Sequence, residues 1–274
     1  MGTPPSAGRA HPVVPSGIMA GSSPHWRVVD ATFVKSAPSV EACPDGGPPE
    51  VAFAGRSNVG KSWLLNALAG KTGLARTSRT PGRTQLLNLF DLTLRGGGQT
   101  RTLRCVDLPG YGFVAHGKKL RGEFAPMIEQ YIAQRQQLRA VALLVDARRG
   151  LGDMDAELLQ YCTEHGKPAL LIVTKVDKLG ASERGLLRRR LAEEVGASPR
   201  DVLLTSASKG TGIDGADGLA ADLAGLVEAV ELAPGNDGDG ESDDDDPDDP
   251  GTPGEPGEPD EPGEPDEPRE PDEP

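Results

Sequence analysis

The stretch from Glu50 to Leu68, EVAFAGRSNVGKSWLLNAL, constrains this chain more than any other. A short apolar run, Val51-Ala52-Phe53-Ala54, feeds a loop from Gly55 to Ser62. An apolar-periodic segment with Trp63, Leu64, Leu65, Ala67 and Leu68 begins at once. Strand, loop and helix thus follow one another with G-x-x-x-x-G-K-[ST] in the middle, the pattern of a phosphate-binding loop. The residue types fit that chemistry. Gly55 and Gly60 let the backbone wrap a phosphate with no Cβ in the way. Successive N–H groups and the helix N-terminus supply partial positive charge. Lys61 can reach β- and γ-phosphates, and the Ser62 hydroxyl is a natural Mg²⁺ ligand. Arg56, Ser57, Asn58 and Val59 complete the loop. Which nucleotide it serves must be read elsewhere in the chain.

Composition limits how much of the chain can fold. Pro and Gly number 25 and 36 of 274 residues and concentrate at the ends. Residues 235–274 hold 19 Asp/Glu and one basic residue, Arg269, which leaves 23 acidic against 28 basic residues in 1–234. The overall charge of −13 therefore divides into a mildly basic body, net +5, and a strongly acidic tail. Such a body is compatible with an RNA or ribosomal partner. In the tail a proline recurs every third residue from Pro247 to Pro274, in step with the three residues per turn of a polyproline II helix. The glycine places become Asp260, Asp266, Arg269 and Asp272, which excludes collagen. The expectation is an extended, self-repelling acidic segment that serves solubility, meets a basic partner or shields the basic body. Residues 1–24 are rich in Pro, Gly, Ser and Ala without periodicity and are expected to be disordered, with Met19 an alternative start. The predicted organisation is a disordered extension over 1–24, one folded domain over 25–233 and a disordered tail over 234–274.

Cys43, Cys105 and Cys162 form no C-x-x-C pair, and the last two sit in apolar runs. Buried free thiols in a reducing cytoplasm are the expectation. No run approaches 18 apolar residues, so no membrane association is expected. The N-terminus lacks the charged flank and apolar core of a secretory signal. Met1-Gly2-Thr3-Pro4-Pro5-Ser6 matches the myristoylation pattern formally, but its two consecutive prolines argue against it.

Read in order, WRVVDATFVK (Trp26–Lys35) predicts a first strand, and Leu86–Leu94 and Thr102–Val106 predict a hairpin across Gly96-Gly97-Gly98. Between them GLARTSRTPGRTQL (Gly73–Leu86) is a loop too long to lack a task. Phe124, Met127, Ile128, Tyr131 and Ile132 recur at helical spacing, with Pro126 near the start. Three strand-then-helix units follow: Ala140–Asp146 with Asp153–His165, Ala169–Thr174 with Ser182–Val195, and Asp201–Thr205 with the stripe Leu219, Leu223, Leu226, Val227, Val230. In the second of these helices Leu186, Leu187, Leu191 and Val195 are expected to face inward, with Arg188-Arg189-Arg190 on a solvated face. Apolar strands alternating with amphipathic helices specify an α/β fold. It has three layers around a mostly parallel sheet with one antiparallel hairpin strand.

Short words after these strands select the nucleotide, since α/β sheets place ligands at the carboxyl ends of their strands. Asp107, Leu108, Pro109 and Gly110 follow one strand. The carboxylate can hold a Mg²⁺-bound water, and the glycine N–H can bond a γ-phosphate. Thr84, with Arg83 before it, can be the second protein ligand of the metal. Thr174, Lys175, Val176 and Asp177 follow another strand. Asp177 can accept both N1–H and N2–H₂ of guanine, whereas adenine offers only an acceptor at N1 and would leave the carboxylate unpaired. Thr205, Ser206 and Ala207 end the last strand, where a backbone N–H can bond guanine O6.

The order of these words resembles the translation-factor-like GTPases. GRSNVGKS, TSRTPGRTQ, DLPGYGF and TKVDK resemble, more narrowly, the bacterial EngB (YihA) GTPases. The resemblance covers about Ala31 to Glu231 and leaves both tails outside. It implies a P-loop GTPase domain in which Gly55–Ser62 bind the phosphates. Ser62 and Thr84 would be direct Mg²⁺ ligands, with Asp107 behind a water. Gly82, Arg83, Thr84, Gln85 and Leu86 would sense the γ-phosphate. Thr174, Lys175 and Asp177, with Thr205–Ala207, would hold the base. It further implies action on assembly of the large ribosomal subunit, with its precursor rRNA and proteins as partners, and a link to division and septation. Thr174 stands where other GTPases carry asparagine.

Ras-type enzymes place a water-orienting glutamine just after the Asp-x-x-Gly word. Here that residue is Tyr111, which has no amide. Asn58 stands where related GTPases coordinate K⁺, and such an ion could neutralise charge between the β- and γ-phosphates; a plain loop asparagine is the alternative. Lys61, Thr84, Gly110 and Asn58 are therefore the candidate catalytic residues. Slow basal hydrolysis, stimulated by K⁺ or a partner, is the expectation. Arg76, Arg79, Arg83, Lys118, Lys119 and Arg121 are candidates for a docking face or a solvated loop. The leading reading is a monomeric GTP/GDP switch in ribosome assembly. The alternatives are a nucleotide-gated module of the division machinery and, more distantly, a P-loop ATPase or kinase.

Overall fold

The computed structural model describes residues 24–75, 86–111 and 126–231. Seven strands form one sheet in the order β1-β3-β4-β2-β5-β6-β7. They are β1 (Arg27–Ala37), β2 (Glu50–Gly55), β3 (Leu87–Gly96), β4 (Gln99–Asp107), β5 (Leu138–Asp146), β6 (Ala169–Thr174) and β7 (Val202–Leu204). Five helices accompany them: α1 (Lys61–Leu68), α2 (Pro126–Gln134), α3 (Asp153–Glu164), α4 (Ala181–Val195) and α5 (Leu219–Glu231). β3 runs antiparallel to both of its neighbours, β1 and β4, while β4, β2, β5, β6 and β7 are mutually parallel. The mostly parallel sheet with one antiparallel strand agrees with the sequence reading.

The alternation of side chains along the central strands divides the core in two. Ala52, Ala54, Val141, Leu143, Val145, Leu171 and Val173 pack with Ile128, Leu158 and Leu191, so α2, α3 and α4 cover one face. Val51, Phe53, Ala142, Leu144, Leu170 and Ile172 pack with Leu64, Leu65, Leu68, Leu219 and Leu223, so α1 and α5 cover the other. A parallel sheet needs both faces covered, which is why the middles of these strands are continuous apolar runs, Val51–Ala54, Ala140–Val145 and Ala169–Val173. All three cysteines are buried free thiols.

Local details sharpen the reading. The hairpin turn between β3 and β4 is only Gly97-Gly98, with φ of 56° and 78°, the left-handed pair that suits the twist of the strands. Pro126 opens α2, where its missing N–H costs nothing. β1 is an edge strand, mostly exposed, with register irregularities between Val28 and Asp30 and between Phe33 and Lys35; such interruptions blunt an edge against pairing with another chain. One expectation is corrected: Leu186, expected to face inward, is 61% exposed, and Trp63 in the apolar-periodic segment after the loop is likewise 65% exposed. Trp63 precedes, and Leu186 lies beside, the arc that meets the sheet, which Leu64, Leu65 and Leu68 and then Leu187, Leu191 and Val195 fill. Arg189 and Arg190 are exposed, as expected. The tails, the Thr84 loop and the side chain of Val230 lie outside the described residues. No helix among the described residues is long and apolar enough to cross a membrane.

Candidate functional site

The loop between β2 and α1 is shaped by residues that accept unusual backbone angles. A Cβ at Gly55 would lie 2.8 Å from the Leu144 carbonyl oxygen, so the loop can leave the sheet there only through glycine. Gly60 caps α1 with φ of 113°. Asn58 is left-handed at φ 65° without being glycine, and its exposed side-chain amide makes no hydrogen bond among the described residues. A nearby cation can therefore find the amide oxygen free. Val59 is buried and pins the loop to the core.

The end of β4 sits directly beside this loop, because β4 is the parallel neighbour of β2 with Asp107 opposite Phe53. Leu108 N–H donates to the Phe53 carbonyl at 3.1 Å, and Leu108 and Pro109 are buried. Ser57 N–H donates to the Tyr111 carbonyl at 2.9 Å, and Tyr111 N–H donates to the Gly55 carbonyl at 3.3 Å. The Ser57 hydroxyl adds a 3.3 Å bond to the Gly110 carbonyl. The Asp-x-x-Gly word is thus stitched to the phosphate loop, with Gly110 exposed at the surface. A Cβ on Gly110 would stand 3.2 Å from Ser57 Cα and Oγ, so the approach is close.

Lys61 Nζ lies 3.9 Å from Asp107 Oδ1. Burial lowers the Lys61 ammonium pKa, partly offset by Asp107. Burial likewise pushes the Asp107 carboxyl up, opposed by Lys61 and by a hydrogen bond from Ser62. Asp107 Oδ1 is buried and accepts no hydrogen bond among the described residues. A buried carboxylate with an unused oxygen, beside a serine hydroxyl and an ammonium, fits a hydrated divalent cation and the phosphates it accompanies.

The opposite end of the loop meets the turns after β6 and β7. Thr174 is buried, and its hydroxyl lies 2.8 Å from the Val59 carbonyl and 3.3 Å from that of Val145. Lys175 is left-handed at φ 60°, and its Nζ donates to the Asn58 carbonyl at 2.6 Å. Val176 is buried, and its N–H donates to the Thr205 carbonyl at 3.2 Å. Asp177 accepts the Ser206 hydroxyl at 2.6 Å and pairs with Lys178 at 3.2 Å. The Ser206 bond first, then Lys178, holds the Asp177 carboxyl below its ordinary range. Thr205 is fastened to the Val173 carbonyl through both N–H and hydroxyl, while Ala207 is half-buried. An ionised carboxylate oriented by one hydroxyl can accept a pair of N–H donors from a base edge.

Most of the predicted site residues therefore converge on one end of the sheet. Gly82, Arg83, Thr84 and Gln85 lie outside the described residues, as do Arg76, Arg79, Lys118, Lys119 and Arg121; Leu86, at the end of that loop, is exposed. Tyr111 turns inward. Its phenol donates to Asp155 Oδ1 at 2.7 Å, and Asp155 Oδ2 accepts the Gly152 N–H at 2.9 Å at the start of α3. Sequence reasoning missed Asp146, at the end of β5, which joins Lys175 and Arg148. Its position after an apolar strand, AVALLVD, was the available signal.

Comparison with known proteins follows the same residues. A family model described as 50S ribosome-binding GTPase matches residues 50–175. The chain is 43% identical over 190 residues to the probable GTP-binding protein EngB of Anaeromyxobacter sp. (strain K), covering 69% of this chain and 88% of that one. It is 42% identical over 182 residues to the probable GTP-binding protein EngB of Geotalea daltonii, covering 66% and 84%. The Pasteurella multocida counterpart is 41% identical over 184 residues, covering 66% and 86%. A crystal structure of a probable GTP-binding protein engB is 25% identical, with 66% of this chain and 97% of that one covered and a TM-score of 0.47.

Proposed function

The chain belongs to the EngB family of GTP-binding proteins, and from that membership we propose that it is a GTP-hydrolysing switch in assembly of the large ribosomal subunit. It works in the cytoplasm as a monomer, and normal division and septation depend on it indirectly. The observation that carries the reading is the convergence of the phosphate loop, Asp107, the Lys175–Asp177 turn and Ser206 on one end of the sheet. The description of the matching family model, which names 50S ribosome binding, supports the ribosomal part.

In this reading the phosphates lie along Gly55–Ser62, with Lys61 against the β- and γ-phosphates. Asp177 takes the guanine edge, with Thr205–Ala207 beside it. Mg²⁺ would neutralise phosphate charge there, held by Ser62 and Thr84 directly and by Asp107 through a water. Gly110 and the segment Gly82–Leu86 sense the γ-phosphate. Tyr111 brings no amide to the reacting water, so basal hydrolysis is slow, and the Asn58 amide gives K⁺ a place from which to stimulate it. GTP orders the loops for a ribosomal precursor, and hydrolysis releases it.

Co-sedimentation of the full chain with large-subunit precursors tests the proposal. Association with a non-hydrolysable GTP analogue but not with GDP is the expected result. Equal association in both states, or association with neither, overturns it.

A further inference from the structure

We propose that Asp146 is a positioning residue for the nucleotide: its carboxylate holds the Lys175 side chain across the phosphate loop, and Lys175 in turn holds Asn58. The proposal rests on the guanine-nucleotide site described above. Asp146 ends β5, whose neighbours in the sheet are β2 and β6, the strands that lead into the phosphate loop and the Lys175 turn. It is 6% exposed, so its charge must be answered by partners.

Two partners answer it. Asp146 Oδ2 accepts Lys175 Nζ at 2.9 Å, and the same ammonium donates to the Asn58 carbonyl at 2.6 Å. One cation thus bridges a fixed carboxylate and the loop backbone. Arg148 supplies the remaining donors: its N–H and Nε reach Oδ1 at 3.0 and 2.9 Å, and Nη2 reaches Oδ2 at 2.7 Å. Burial opposes the charge, but the bonds from Arg148 and Lys175 outweigh it and hold the carboxyl well below its usual range. The carboxylate is therefore ionised at neutral pH.

The bridge joins the two strained positions of the region. Asn58 and Lys175 are the non-glycine residues with left-handed backbone among the described residues. Such conformations persist where surrounding contacts over-determine them. A lysine with four rotatable bonds would not hold a loop carbonyl by itself; a carboxylate that fixes its ammonium removes that freedom before the nucleotide arrives. Asp146 acts through Lys175 and needs no contact with the nucleotide.

A double-mutant cycle separates this role from simple support of the turn at Arg148. The dissociation rate of N-methylanthraniloyl-GDP is measured for wild type, Asp146→Asn, Lys175→Met, the double variant and Arg148→Ala, with urea unfolding of each. Asp146→Asn is expected to speed dissociation about tenfold in the wild-type background and less than twofold in the Lys175→Met background. Arg148→Ala, which spares the lysine contact, is expected to change it less than threefold. An Asp146→Asn effect of equal size in both backgrounds, or none, overturns the proposal. Should Asp146→Asn fail to fold, amine acetylation of nucleotide-free wild type reads the bridge directly. Lys175 should then be protected relative to Lys178, and equal labelling overturns the proposal. A wild-type protein that binds no GDP analogue contradicts the nucleotide site itself, while the labelling still judges the bridge.

Discussion

The Thr174 hydroxyl donates to the Val59 carbonyl, 2.8 Å away and 115 residues earlier in the chain. Both residues are buried. The bond fastens the end of β6 to the underside of the phosphate loop, so Thr174 supports the loop from below. Thr174→Val keeps the shape and removes the donor, which leaves a buried carbonyl unpaired. A loss of about 1–3 kcal/mol in urea unfolding is expected, together with faster GDP release. Thr174→Ser should restore most of both; unchanged stability in the valine variant contradicts the assignment.

The base end of the site carries a pH signature. The Asp177 carboxyl is held below its unfolded value of 3.8, chiefly by the Ser206 hydroxyl and then by Lys178. Its contribution is therefore whole above 3.8 and lost as pH falls through the lower folded value. GDP affinity should show no loss attributable to Asp177 between pH 8 and roughly 5. Ser206→Ala removes the main cause, so the acid limb of binding moves to higher pH. A limb that does not move, measured by titrating GDP at each pH, contradicts the pairing.

At the start of β2, away from the site, stability rests on a buried charge. Glu50 is fully buried, and Arg135 meets it with Nε at 2.8 Å and Nη2 at 2.7 Å. The Tyr131 phenol donates to the same carboxylate, and Arg104 Nη1 lies 3.7 Å away. Glu50→Ala leaves the buried Arg135 guanidinium without its carboxylate, while Arg104 keeps its pair with Asp91 at 2.6 Å, and should cost about 3–5 kcal/mol. Guanine specificity should survive in whatever fraction folds, and a thermal melt with and without GDP reads both.

The cation role of Asn58 has its own test. Turnover in K⁺ should exceed turnover in Na⁺, and Asn58→Ala should abolish the difference while GDP binding persists. Equal turnover in both salts, unaffected by the substitution, contradicts a monovalent cation at that loop.

The sheet was legible because β2, β5 and β6 each carry a continuous apolar run and the helices between them are periodic. What escaped depended on neighbours far apart in sequence. Tyr111 drew attention as a missing glutamine, but its ring lies in the core and its phenol on Asp155, 44 residues away. A large apolar ring with one polar tip favours such a buried, satisfied place. Asp146 looked like the last residue of a strand, because its role needs Lys175 and Asn58 brought beside it by the parallel order β2-β5-β6. Leu186 was misplaced because apolar character alone does not fix which arc of a helix meets the sheet.

The central claim is that this end of the sheet is a guanine-nucleotide site whose specificity comes from Asp177. Calorimetric titration of GDP and ADP into the wild type and into Asp177→Asn tests it most directly. The amide offers one donor and one acceptor, which matches N1–H and O2 of xanthine. The wild type should bind GDP and not ADP, and the variant should lose GDP and gain XDP. Binding of ADP as tight as GDP, or GDP binding untouched in the variant, contradicts the account.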